Sequence, residues 1–182
     1  MKNIFLSFTA IALSTSMSAQ IFMAKNCEIT FFSESPLENI EAINKAAKPI
    51  LNTSTGDIQT KIAMAAFVFE KPLMQEHFNE NYAESEKFPS ATLKGKINEV
   101  IDWTKDGEYK ATVTGKLNLH GVEKDRTFDG IITIKGSEIT ISTKFTIHIA
   151  DHDIKVPSLY VKNIAEDVEV KLNATLEPYK KK

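Results

Sequence analysis

Hydrophobic and polar residues alternate along most of the chain with a period of two. Near the C-terminus, Val168, Val170, Leu172, Ala174 and Leu176 alternate with polar residues. Residues 139–149 and 109–119 repeat this pattern, and shorter runs cover 28–33, 57–70, 91–101 and 126–135. Because successive side chains of a strand point to opposite faces, each run predicts a strand with one apolar and one polar face.

Turn residues separate these runs at Asp106–Gly107, His120–Gly121 and Gly136–Ser137. Many strands joined by short turns predict an antiparallel meander. Closing such a sheet into a barrel covers its apolar face and removes its edges. The predicted fold class is therefore all-β, an antiparallel up-and-down barrel with one or two short helices.

Two segments depart from the alternation and predict these helices. Residues 35–38, Ser-Pro-Leu-Glu, are typical of a helix start, with the helix limited by Pro49. The second predicted helix starts at Pro72 and ends before Phe88–Pro89. Its residues Met74, Phe78 and Tyr82 are four apart and share one face.

The alternation of inward and outward residues along each strand predicts which side chains line the barrel. An eight-stranded barrel is either filled by side chains or holds one small ligand. Five small residues on the inward faces (Gly95, Ala111, Gly115, Gly130 and Ala174) favour a cavity weakly, and a filled core remains the alternative. The predicted interior consists of Leu93, Ile97, Tyr109, Val113, Leu117, Phe128, Ile132, Ile141, Phe145, Val170, Leu172 and Leu176.

The N-terminus is typical of a secretory signal peptide. Lys2 precedes an apolar stretch over 4–13, and small or polar residues follow up to Ala19. We therefore expect a signal peptide over 1–19, one domain over 20–182, and an exported protein, periplasmic or secreted. No later segment is apolar enough over about 20 residues to span a membrane.

Composition and motifs narrow the function classes. The net charge is −2, and Arg126 is the only arginine, which disfavours nucleic acid as a partner. Cys27 is the only cysteine, so an internal disulfide is excluded, although a homodimer is compatible with the sequence. No nucleophile elbow or HExxH helix is present, so we expect neither an enzyme nor a cofactor. The polar group His148, Asp151, His152 and Asp153, with His120 near it, is interpreted as a turn rather than a metal site.

The order and spacing of three stretches resemble the YceI-like polyisoprenoid-binding family. The first runs over 73–95 and ends in a F-P-x-A-x-x-x-G strand entry at 88–95. The second is G-K-L-N-L-H-G-V at 115–122. The third runs over 145–176 and carries Asp151, Ile154, Pro157, Ala165 and Val168. The resemblance covers about residues 25–177.

The resemblance implies a lipocalin-like barrel that holds a long isoprenoid chain, such as a quinone or polyprenyl phosphate tail. Polar groups at the mouth would orient the head group. The candidates for the mouth are Lys71, His77, Phe78, Tyr82 and Arg126. The leading hypothesis is a carrier or sequestering protein for such a lipid, which would be its bound partner. A non-enzymatic stress-response interaction module with a filled core, and a metal-dependent enzyme, are the alternatives.

Overall fold

The computed structural model describes residues 21–34, 39–155 and 165–180. The predicted signal peptide at 1–19, the predicted helix start at 35–38 and Pro157 of the third stretch lie outside them. The strands are β1 (Ile21–Ser33), β2 (Ile40–Asn44), β3 (Ile50–Asn52), β4 (Asp57–Ala63), β5 (Phe67–Phe69), β6 (Ser90–Ile97), β7 (Gly107–Leu119), β8 (Val122–Lys135), β9 (Glu138–His148) and β10 (Asp167–Pro178). Helix α1 (Pro72–His77) continues into one π-helical turn (Phe78–Tyr82).

The strands form a closed antiparallel barrel of lipocalin type, as the alternation and the resemblance predict. Strands β6 to β10 each pair with their neighbours in sequence, β6 also pairs with β4, and β1 pairs with β10 to close the sheet. Strands β2 and β3 both pair with β1, β4 pairs with β3, and β5 pairs with β2. The segments β2 and β3 therefore act as one interrupted strand of the barrel, and so do β4 and β5. Counted in this way, the barrel has eight strands.

Two of the three predicted turns are tight hairpins. His120 and Gly121 join β7 to β8 with positive φ angles of 53° and 78°, the conformation that a two-residue type I′ turn requires. Gly136 and Ser137 join β8 to β9. The third turn is different, since β6 ends at Ile97 and β7 begins at Gly107, so Asp106 and Gly107 only end a connection over 98–106.

The prediction of a helix before Pro49 is wrong over residues 40–44, which form β2. Ala42 and Asn44 are 1% and 0% exposed and point inward between β1 and β5. The Asn44 side-chain amide donates to the Ala63 carbonyl, and its oxygen accepts from the Ala46 amide. Pairing with β1 therefore overrides a local helix signal. The predicted single strand over 57–70 is also interrupted, by a 3-10 turn at Met64–Ala66.

A bulge in β1 changes which residues point inward. Lys25 has no partner in the register between β1 and β10, which passes from Ala24↔Leu176 to Asn26↔Thr175. Before the bulge Phe22 and Ala24 are buried, and after it Cys27 and Ile29 are buried. The bulge therefore keeps the apolar side chains inside along the whole strand.

The interior is filled at one end only. At the end where β1 begins and β10 finishes, Leu51, Ile139 and Leu176 are fully buried. Ile101 and the half-buried Trp103, in the 98–106 connection, pack against the same core. We call this the filled end and the opposite one, next to α1, the hollow end.

Of the small inward residues, Ala111 and Gly130 line the smaller interior cavity, but Gly95 and Gly115 create no space, contrary to our sequence-based interpretation. A Cβ built on Gly115 would lie 2.2 Å from the Lys94 carbonyl oxygen and 2.4 Å from the Gly95 Cα. These glycines let β6 and β7 approach closely, so a larger residue there would disturb the sheet rather than fill a void. Ala174 is 2% exposed within the packed core and lines neither of the interior cavities described below.

Candidate ligand-binding cavity

The hollow end contains an apolar cavity of about 500 Å³, which we call the outer cavity. This volume lies within the range of about 300–1,000 Å³ that is usual for ligand sites. His77 is exposed and lines the cavity, so the cavity reaches the surface beside α1. Its described lining is Ile29, Phe31, Ser33, Ile40, Ile62, Met64, Phe67, Phe69, Met74, His77, Phe78, Tyr82, Ala83, Ala91, Leu117, Leu119, Phe145, Ile147, Ile149, Ile154, Val168 and Val170.

Four rings form one wall of the outer cavity, and we call them the phenylalanine cluster: Phe31, Phe67, Phe69 and Phe78. Phe31 stacks on Phe78 with centroids 5.4 Å apart, and Phe69 lies 5.0 Å from Phe78. Phe67 and Phe69 alternate with the exposed Val68 on β5, so strand parity places both rings inside. The cluster therefore fixes α1 and its π-helical turn against the open end of the barrel.

A second, smaller void of about 80 Å³ lies deeper in the barrel, and we call it the inner cavity. It lies towards the filled end, among side chains of β1, β4 and β6 to β10. Five side chains line both cavities, and we call them the partition: Ile29, Ile62, Leu117, Phe145 and Val170. The ring of Phe145 is further held by an edge contact with Phe128, at 4.7 Å between centroids.

The twelve predicted interior residues all face the inside of the barrel, but few reach the outer cavity. Leu117, Phe145 and Val170 line it as part of the partition. Tyr109 and Leu176 pack towards the filled end, where the Tyr109 hydroxyl donates to the Lys105 carbonyl. The others line the inner cavity only: Leu93, Ile97, Val113, Phe128, Ile132, Ile141 and Leu172.

The five predicted mouth residues divide into two groups. His77, Phe78 and Tyr82 line the outer cavity. Lys71 instead lines a groove on the outside of β2 and β5. Arg126 lines none of these cavities, since its guanidinium donates to the Thr146 carbonyl at 2.6 Å and so links β8 to β9.

The sequence-based interior missed the side chains that β1, β2, β4 and β5 contribute to the outer cavity. Phe31 lies two residues after Ile29 and Ile62 lies four residues after Ile58, so the period of two places each on the inward face and could have identified it. Ile40 could not be found in this way, because the local pattern predicted a helix there. Ile147 and Val168 continue the inward rows of β9 and β10 beyond the residues we selected.

The predicted His/Asp turn holds the hollow end together by hydrogen bonds. The His120 Nε2 lies 2.7 Å from a Glu84 carboxylate oxygen, and its Nδ1 lies 3.1 Å from the His152 carbonyl oxygen. His152 is fully buried, with its Nδ1 3.2 Å from the Val122 carbonyl oxygen. Burial lowers the pKa of His152 below 6.5.

His148 lies apart from this network on the exposed side of β9. Its Nδ1 is 2.9 Å from Asp167, and that hydrogen bond raises the pKa of His148. Within the described part of the chain, no group of three or more His, Cys, Asp or Glu side chains is placed to hold a metal ion. Among the same residues, no helix combines the length and apolarity needed to cross a membrane.

Solved structures share this barrel at low sequence identity. A polyisoprenoid-binding domain from Saccharophagus degradans, implicated in plant cell wall breakdown, superimposes with a TM-score of 0.74 at 14% identity, over 87% of this chain and 98% of that one. BcnA of Burkholderia cenocepacia gives 0.69 at 17% identity, over 82% and 95%. The YceI protein of Campylobacter jejuni gives 0.55 at 16% identity, over the whole of both chains. At such identities the likeness concerns the fold.

The sequence itself identifies the family. No curated protein sequence matches the chain. The family model of the YceI-like domain matches residues 16–176, which is most of the chain. The order of strand, helix and hairpin motifs that suggested this resemblance is thus supported over almost the full length, and the chain belongs to the YceI-like domain family.

Proposed function

We propose that this protein binds an isoprenoid lipid, such as a polyprenol or a quinone, in the outer cavity and acts as a carrier or a sequestering protein. The observation that carries the proposal is the apolar cavity of about 500 Å³ that reaches the surface beside α1. The polyisoprenoid-binding domain with the same fold supports the choice of ligand class.

Burial of hydrocarbon accounts for the affinity in this proposal. Each methylene or methyl group that leaves water for the cavity contributes up to about 0.8 kcal/mol, so a chain of many carbons gains enough to offset the entropy of ordering it. The polar groups near the surface, the His77 imidazole and the Tyr82 hydroxyl, lie where they could orient a hydroxyl or carbonyl head group. Ser33 is buried, and its hydroxyl accepts from the Ala165 amide.

Export and a role without catalysis are further parts of the proposal. The signal-peptide pattern over 1–19 supports action outside the cytoplasm, where a carrier would shield an apolar lipid from water. The alternative of an interaction module requires a filled core, and the hollow end is the feature that disfavours it.

The test is ligand binding by protein that lacks residues 1–19. Organic extraction of one sample followed by mass spectrometry identifies any lipid that copurifies. Titration of delipidated protein with a fluorescent polyprenol analogue gives a Kd.

Ala91 is 5% exposed and lines the outer cavity. We expect Ala91→Phe to weaken binding at least tenfold while the melting temperature stays within a few degrees, because the new ring occupies empty space.

The matched control is Val68→Phe, which adds a ring on the outer face of β5, where Val68 is 64% exposed. This variant should bind the analogue as wild type does. Saturable binding that Ala91→Phe leaves unchanged, or no binding of any apolar probe by wild type, would contradict the proposal.

A further inference from the structure

We propose that the partition limits how much of the ligand the barrel can bury, to about four isoprene units, and that any longer tail extends out of the mouth. This inference rests on the proposed function and adds a length limit together with the residues that set it. It starts from the division of the interior into an outer cavity of about 500 Å³ and an inner cavity of about 80 Å³.

The limit follows from the volume of the outer cavity. An apolar protein cavity of about 150 Å³ accommodates one benzene molecule, or about 25 Å³ per carbon. At that density the outer cavity of about 500 Å³ accommodates about 20 carbons, which is about four units of five carbons.

The partition prevents a longer tail from continuing into the barrel. Leu117 is buried, and Phe145 is held by its contact with Phe128, which is itself 4% exposed. Below the partition the side chains converge on the filled end, so the inner cavity ends against packed core. A tail could reach the inner cavity only if Phe145 or its neighbours moved out of packed positions.

The lining of the inner cavity is mostly apolar but includes one buried polar group without a partner in the described part of the chain. Thr60 lines this cavity, and the buried Thr60 hydroxyl has no hydrogen-bond partner among the described residues. A hydrocarbon tail would leave this buried hydroxyl unpaired, which adds a penalty to filling the inner cavity. The packed partition sets the end of the buried tail, and the Thr60 hydroxyl reinforces that limit.

The experiment is a competition series with polyprenols of two to eight units, presented from cyclodextrin, which displace a fluorescent polyprenol analogue from delipidated protein. For wild type we expect affinity to rise at least tenfold per unit up to about four units, and then to vary less than threefold up to eight. Phe145→Ala removes a ring and joins the two cavities, which at about 25 Å³ per carbon adds room for one to two units, so the plateau should move to five or six.

Two further variants keep the test decisive. Leu117→Ala opens the same partition with a smaller change, and it should move the plateau in the same direction if Phe145→Ala does not fold. Phe32→Ala also removes a ring, but on the outer face of β1, where Phe32 lines the external groove and neither cavity, so it should leave the plateau where wild type has it. Adding Thr60→Val to Phe145→Ala should strengthen binding of the longer chains only.

The outcomes distinguish this inference from the proposed function. If wild type binds none of the polyprenols, the proposed function fails. If wild type binds them and affinity continues to rise through eight units, or if neither partition variant moves the plateau, lipid binding stands and the length limit is overturned.

Discussion

Two histidines near the hollow end have pKa values that are shifted in opposite directions. Burial of His152 disfavours its charged form and lowers its pKa, whereas the hydrogen bond to Asp167 raises the pKa of the exposed His148. An unfolded chain would give both side chains a pKa near 6.5. The two residues therefore link stability to pH with opposite signs.

Below pH 6.5 the unfolded chain protonates His152 more readily than the folded protein does, so stability is lost as the pH falls. The ion pair of His148 has the opposite effect, because its stabilisation is present at low pH and is lost as the pH rises through the raised pKa. We expect His152→Asn, which retains an N–H donor for the Val122 carbonyl, to reduce the acid loss of stability, and His148→Asn to increase it.

Urea denaturation of both variants and wild type at pH 5 and pH 7.5 measures how the free energy of unfolding changes between these two pH values. The difference between variant and wild type isolates each histidine from the carboxylates that titrate in the same range. If the two substitutions alter this pH dependence of stability in the same direction, the directions assigned to the two pKa shifts are wrong.

At the scale of elements, α1 and its π-helical turn depend on the phenylalanine cluster. Phe78 contacts Phe31, Phe67 and Phe69, and the Gln75 side-chain oxygen accepts from the Phe69 amide. No residue of α1 or of its turn is buried. A helix this short is not stable alone, so packing of its apolar face maintains it.

Phe78→Ala should therefore loosen this segment more than the barrel. Fully buried phenylalanines cost about 3–5 kcal/mol when replaced by alanine, and for the half-buried Phe78 we expect about 2 kcal/mol. Hydrogen exchange should become faster at the amides of 74–83 and stay unchanged in β7 to β10. Leu73→Ala is the control, because Leu73 is 60% exposed. Equal effects of the two substitutions would show that the cluster does not hold the helix.

At the scale of the whole molecule, the seam between β1 and β10 closes the barrel. Ten residue pairs join these strands, from Phe22↔Pro178 to Phe32↔Glu169. Cys27 lies in this seam opposite Ala174 and is 5% exposed. Burial, with a smaller effect of Glu28, raises the pKa of its thiol from 9.0 to about 11. A thiol this buried is also poorly placed for a disulfide between two molecules.

The reactivity of Cys27 should report the opening of the seam. At pH 8 a thiol with a pKa of about 11 is roughly 0.1% thiolate, which is the reactive form, so native protein should react slowly with a disulfide reagent. The rate should rise with urea in parallel with the unfolding transition. Fast labelling in the absence of urea would indicate that the barrel opens locally between β1 and β10.

The sequence alone determined most of the strands, including the long strands β7 to β10, and their inward faces. A period of two places alternate side chains on opposite faces whatever the tertiary context, and all twelve predicted interior residues do face inward. The hairpin at His120–Gly121 was equally predictable, since its φ angles demand particular residues. The family was recognisable because the order of its motifs is local information.

The tertiary structure decided where the interior is filled and where it is hollow. The alternation along a strand tells which face a side chain occupies but not how far away the opposite wall of the barrel lies. Leu176 and Phe145 are therefore equivalent in the sequence pattern, although Leu176 is packed core and Phe145 lines the cavities. The same limit misled us about Gly115, whose missing Cβ accommodates the neighbouring strand rather than a ligand. Residues 40–44 form a strand because their backbone pairs with β1 on one side and β5 on the other. The local sequence pattern contains no information about these two partners. Distances across a barrel arise only when distant segments of the chain meet, and those distances determine the cavity.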